Sequence, residues 1–192
     1  MGIMNWQTIY RKPRTTLSDA TSYKYPYLLK DIKIEKTNQV WAMDITYIPM
    51  KQGFMYLTAI IDLKSRYIVN WSVSNTMSAE WCAQVLDTAI QIHGKPEIFN
   101  TDQGSLTSDV FINVLKENNI QISMDGKGRA IDNIFIERFW KTIKYEDVYL
   151  KVYADGLDLY KGLEAFIKFY NQERLHQSLD YQTPAKAYNL AA

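Results

Sequence analysis

The segment VWAMDITYIPMKQGFMYLTAIIDLKSRYIVNWSV, residues 40–73, decides the architecture. Three apolar runs, Val40–Met50, Phe54–Leu63 and Arg66–Val73, are separated by Lys51-Gln-Gly53 and by Asp62-Leu-Lys-Ser65. Turns this short join antiparallel neighbours, so the segment predicts a three-stranded meander. The second run is almost continuously apolar and is expected to be buried on both faces. Beyond Asn75 the period changes. Ser78-Ala-Glu-Trp-Cys82 opens a helix to about His93, with Trp81, Val85, Ala89 and Ile92 on one face and Gly94 as its stop. Pro96–Asn100 reads as a fourth strand, Asp109–Asn118 as a helix and Ile120–Met124 as a fifth strand. After the glycine-containing loop Asp125–Arg129, a helix capped by Asp132 or its neighbour runs to about Tyr145. A long helical pattern covers Leu157–His176, and Pro184 begins a last short helix. An antiparallel meander followed by helix-linked strands predicts an α/β layered sheet with helices on both faces.

Bulk properties narrow the class. With 192 residues, 47% of them hydrophobic and 22% charged, the chain can bury one substantial core. No apolar run approaches the length of a membrane span, and no signal peptide is evident, so a cytoplasmic location is expected. The one cysteine, Cys82, cannot form an internal disulfide, and two histidines, His93 and His176, do not make a zinc cluster. Residues 1–37 carry seven Lys/Arg against three Asp/Glu, whereas residues 38–192 carry fifteen against eighteen. The first 37 residues therefore read as a basic N-terminal arm on a mildly acidic body spanning 38–192. Tyr23-Lys-Tyr-Pro-Tyr27 in that arm either meets nucleic acid or packs its tyrosines on the body.

Three carboxylates carry the chemical signal. Asp44 interrupts an apolar strand, Asp102 ends the run Ile98-Phe-Asn-Thr, and Glu137 follows 35 positions later on the predicted helix. Taken singly, each has an ordinary explanation: exposure on a half-buried strand, a turn cap, a pair with Lys141. Converging, they would repel one another unless cations neutralised them, and a strand centre, a strand end and a helix suit hard divalent ions with oxygen ligands. Asp62, between two strands, reads as a turn residue. Cys82 and most of the tyrosines read as packing.

The residues around the carboxylates make the set specific. Trp41-Ala-Met-Asp44-Ile-Thr, Asn100-Thr-Asp102-Gln-Gly-Ser and Asp132-Asn-x-x-x-Glu137 closely resemble the three acidic motifs of bacterial insertion-sequence transposases. Those enzymes belong to the retroviral-integrase superfamily. Tyr170-Asn171-x-x-Arg174-x-His176-x-x-Leu179, followed by Thr183-Pro184-Ala185, resembles the C-terminal signature of those made by fusing two reading frames. The likeness runs from about Tyr10 to Tyr188. It implies an RNase H-like mixed five-stranded sheet flanked by helices, behind the extended N-terminal arm. It implies that Asp44, Asp102 and Glu137 ligate two divalent ions, Mg²⁺ or Mn²⁺, for cleavage and strand transfer of DNA phosphodiesters. Lys141 and Lys144, at i+4 and i+7 from Glu137, are candidates to hold DNA phosphates beside the metals. Lys127, Arg129, Arg174 and His176 are further candidates for DNA contact.

The resemblance also implies transposon ends and target DNA as partners, self-association, no membrane, and a bacterial nucleoid-associated location. Two features depart from the pattern. Forty-three residues precede Asp44 without a helix-turn-helix signal, and the segment after Asp102 is one residue short. They motivate a second reading, a catalytically decayed DNA-binding or regulatory remnant. A nuclease of the same fold acting on RNA–DNA hybrids is a third, opposed by the C-terminal signature.

Overall fold

The computed structural model describes residues 25–30, 32–101, 108–124 and 134–189. The expected meander is present: β1 (Val40–Pro49), β2 (Phe54–Asp62) and β3 (Ile68–Ser74) pair antiparallel in sequence order. Gly53, at φ +78°, makes the first turn, where Met50 N–H donates to the Gly53 carbonyl at 3.1 Å. Asp62 makes the second. Its buried carboxylate accepts from the backbone N–H groups of Asn38, Lys64 and Ser65 and from the Ser65 hydroxyl, at 2.7–3.2 Å. Burial raises its pKa and the hydrogen bonds offset part of that rise. The turn assignment for Asp62 holds. Burial of β2 is complete only from Leu57 onward, because Phe54 lies beside the exposed turn of the hairpin.

β4 (Ile98–Thr101) and β5 (Gln121–Met124) add parallel strands beside β1, giving the order β3-β2-β1-β4-β5. Because strand side chains alternate, β1 feeds two cores. Val40, Ala42 and Ile48 face one; Trp41 and Met43 face the other.

Helix α1 (Ala79–His93), capped by the Ser78 side chain, and α2 (Asp109–Glu117), capped by Ser108, cover the Trp41 face. The buried residues of α1 are Cys82, Ala83, Val85, Leu86 and Ala89, so Val85 and Ala89 of the expected face are buried but Trp81 and Ile92 are not. At roughly 100° per residue, Trp81 and Ile92 sit at the margin of the buried face. Ile92 is exposed, and the Trp81 indole turns to donate to Ser72 Oγ.

Helices α3 (Ile134–Ile143) and α4 (Gly156–Gln172) cover the opposite face, and α5 (Pro184–Asn189) follows. A π-helical turn, Lys144–Val148, continues α3 past the expected end. The sequence pattern carried α4 to His176, but the helix stops at Gln172. Both Glu173 and Arg174 N–H groups turn back to the Phe169 carbonyl, and His176 pairs with Gln182 as an isolated bridge. Near its end, the Asn171 side chain both donates to and accepts from the Ile68 backbone, at 3.0 and 2.9 Å, which pins α4 to β3.

The described part of the N-terminal arm lies against β5. Met124 N–H donates to the Pro26 carbonyl and Leu28 N–H to Ser123 Oγ, while Leu29 is buried. Tyr25 and Tyr27 pack on the two cores, the second of the two alternatives the sequence left open. Among the described residues, no helix is long and apolar enough to cross a membrane.

Candidate active site

Asp44 lies near the middle of β1, directly opposite Ala59 of β2. Strand alternation turns its side chain to the face covered by α3. There its Oδ2 accepts a hydrogen bond from the Trp140 indole N–H at 2.8 Å. The indole is a donor only, and a bond to an ionised acceptor is stronger than one between neutral groups. Trp140 is itself buried against the tilted ring of Phe139, which in turn meets Tyr170 edge-on. The carboxylate is therefore oriented by a residue that the core immobilises.

Glu137 stands three residues before Trp140 on the same helix, one turn away along α3. Ile136, Phe139, Trp140 and Ile143 bury the inward stripe, which leaves Glu137 at its exposed margin. No ion pair joins Glu137 to Lys141 among the described residues, so the pairing that would have explained it away is not formed. Lys141 is exposed. Lys144 behaves differently. The π turn directs it back to β1, where Nζ donates to Thr46 Oγ1 at 2.6 Å. Partial burial pulls its ammonium below the ordinary lysine range, and the nearby Asp44 charge pulls it back up.

The register Ala42↔Asn100 sets the described end of β4 next to the stretch of β1 that leads to Asp44. Asn100 and Thr101 are both buried. Asp102 follows Thr101 directly but lies outside the described residues, as do Lys127 and Arg129. Among the described residues, no group of three or more His, Cys, Asp or Glu side chains forms a metal cage.

The remaining candidates sit apart from Asp44. Arg174 pairs with Glu146 of the π turn through both guanidinium nitrogens, one of them at 2.9 Å. His176 lies edge-on to Tyr170, with centroids 4.9 Å apart. Burial and the Arg174 and Arg66 charges lower its pKa. Sequence reasoning missed Trp140, Thr46 and Arg66. Trp140 reads as one more apolar position of an amphipathic helix, and its partner lies 96 residues upstream. Nothing in the local pattern announces that bond.

A mixed sheet of order 3-2-1-4-5, with a carboxylate at the centre of β1 and another on the covering helix, is the frame of an integrase catalytic core. The chain belongs to the integrase core domain family, which it matches over residues 35–130 and again over residues 118–184. It is 38% identical over 174 residues to the transposase for insertion sequence element IS904 of Lactococcus lactis subsp. lactis (strain IL1403), covering 85% of this chain and 66% of the relative. It is 30% identical over 166 residues to the putative transposase InsK for insertion sequence element IS150 of Escherichia coli (strain K12), covering 84% of this chain and 58% of that one. The chain thus spans less than two thirds of the length of these relatives. Among solved structures it is similar to the HTLV-2 integrase catalytic core domain in complex with magnesium, with a TM-score of 0.66 at 20% identity. That alignment covers 80% of this chain and 97% of that domain. The BIV integrase catalytic core domain gives a TM-score of 0.64 at 16% identity, covering 80% and 95%. These likenesses establish the RNase H-like fold.

Proposed function

We propose that the chain is the catalytic core of a DNA transposase, cutting and joining DNA strands at a site built from Asp44, Asp102 and Glu137. The observation that carries this reading is the Trp140–Asp44 hydrogen bond, which holds the helix bearing Glu137 against the strand bearing Asp44. The relatives named as transposases support the substrate class.

The donor set fits hard divalent ions. Asp44 offers a carboxylate that the indole orients, Glu137 is exposed and without an ion pair among the described residues, and Asp102 adds a third carboxylate. Two Mg²⁺ or Mn²⁺ ions held there would activate a water or a DNA 3′-hydroxyl and stabilise the leaving oxygen. The protein's own part is positioning and charge. Trp140 fixes the Asp44 carboxylate. Lys144, anchored on Thr46, sets a positive charge beside it. Lys141, one turn from Glu137, reaches outward for a DNA phosphate, and Lys127 and Arg129, which precede that helix in the sequence, serve the same purpose. The active form is a homo-oligomer that pairs transposon ends with target DNA, and it works in the cytoplasm on the nucleoid.

The test is cleavage and joining of a labelled DNA duplex with Mg²⁺ or Mn²⁺, comparing the chain with Glu137→Gln. Metal-dependent products that vanish in the variant support the reading. DNA binding without products in either protein would move the chain to the non-catalytic, DNA-holding class.

A further inference from the structure

On the outer flank of α3, between that helix and the segment after α4, lies a cavity of about 310 Å³. Arg66, Arg138, Lys141, Arg174 and His176 line it, and no Asp or Glu does among the described residues. Arg66 comes from the β2–β3 turn, Arg138 and Lys141 from α3, and Arg174 and His176 from the segment after α4. Three separate parts of the chain bring cations to one hollow.

Two of these groups carry buried polar atoms in need of a partner. Arg66 Nη1 and His176 Nε2 are shielded from solvent and make no hydrogen bond among the described residues. A buried donor left without a partner has lost its hydration uncompensated, and the loss is greater when it is charged. Arg66 is held there by its neighbours: its guanidinium lies 3.3 Å from the centre of the Phe135 ring, and its backbone has φ +63° in the tight turn. The carboxylates nearby offset only part of the charge of the hollow. Glu146 engages Arg174, and Asp62 acts on Arg66 only through its field, its oxygens being taken by the turn. Burial accordingly pulls the Arg66 guanidinium down to about 10, and the neighbouring Arg138 charge acts in the same direction.

A compact anion with several acceptor oxygens would satisfy these donors together, and phosphate is the one that guanidinium forks match. Lys141 belongs both to the wall of this hollow and to the helix face of Glu137, four residues away. The hollow therefore opens on the side of α3 that carries Glu137. We propose that Arg66, Arg138, Arg174 and His176 form a phosphate-binding pocket that takes a backbone phosphate of the DNA strand lying across Glu137. This assignment rests on the DNA-processing reading above. It adds a contact point whose role is to set the strand's register, not to cut it.

The test measures binding of a labelled DNA duplex to the full chain in chelator, across a range of salt concentrations. Arg138→Gln and Arg66→Gln are the variants, and Lys161→Gln, exposed on α4, is the control. Should Arg66→Gln fail to fold, Arg138→Gln alone decides, because Arg138 is exposed. Each pocket variant is expected to weaken binding several-fold on every sequence, and to lower the slope of log affinity against log salt by about 1. The control should change neither. Unchanged affinity and slope in the folded pocket variants would overturn the pocket. Mg²⁺-dependent cleavage by the unsubstituted chain is scored in parallel. Cleavage with an unchanged slope removes the pocket and leaves the transposase reading. A lowered slope without cleavage keeps the pocket and removes the cutting. No DNA binding at all removes both.

Discussion

Trp140 links the two halves of the candidate site, and its substitution separates orientation from charge. Trp140→Phe removes the indole donor to Asp44 and leaves an aromatic ring in the core. We expect a stability loss of about 1–2 kcal/mol, from one charged hydrogen bond and a small void. We also expect DNA cleavage to fall by at least roughly tenfold, since a carboxylate displaced by about 1 Å loses its reacting geometry. Denaturant unfolding and a cleavage assay on the same preparation check the pair. His176 gives a prediction in pH. Burial, then Arg174 and Arg66, lowers its pKa in the fold, so the unfolded chain takes up the proton first, near 6.5. Its contribution is neutral above that value, and stability is lost as the pH falls below about 6.5 toward the folded value. Asp62 works in the opposite sense, because its raised pKa makes the fold the first to bind a proton. The two are separated by comparing unfolding at pH 7.5 and 5.5 in the natural chain and in His176→Asn. The variant should lose less stability on acidification. Asp44 stood out in the sequence as a candidate because a charge breaks an apolar strand. Arg66 was not, because a cation in a turn is the commonest place for one.

Among the elements, α4 and the turn that precedes it are locked together by small tolerances. A side chain at Gly162 would meet the Tyr153 hydroxyl and ring at 2.2–2.5 Å. Tyr153 cannot simply swing away, since it is buried and donates to the buried Asp147 carboxylate, which also pairs with Lys151. Gly162→Ala should therefore destabilise by about 1–3 kcal/mol, although alanine favours a helix. A thermal melt showing the variant equal or more stable would refute this packing. Asn171→Leu should cost about 2–4 kcal/mol, because it strips both backbone partners from Ile68 at the α4–β3 contact. The strands and α1 were readable in order, since short turns, Ser78 and Gly94 punctuate them. The end of α4 was not. Its apolar spacing continues through Tyr170, and what stops it is the return of two N–H groups to Phe169 and the pairing of His176 with Gln182.

For the whole molecule, the meander predicts only that β1, β2 and β3 are neighbours. The placement of β4 beside β1, on the side away from β2, is a tertiary choice. It is made by two cores on either side of one sheet, each needing its own pair of helices. That choice carries β4 to the carboxylate of β1 and α3 across it. The central claim, that Asp44, Asp102 and Glu137 act as one divalent-ion site, is tested most directly by titrating Mn²⁺ calorimetrically into the chelator-stripped chain. The same titration is run on Asp44→Asn, Asp102→Asn and Glu137→Gln. The account predicts a binding heat in the natural chain, abolished or weakened at least roughly tenfold in each variant, as expected when one of three carboxylate ligands is lost. Equal Mn²⁺ binding by the natural chain and all three variants would contradict it.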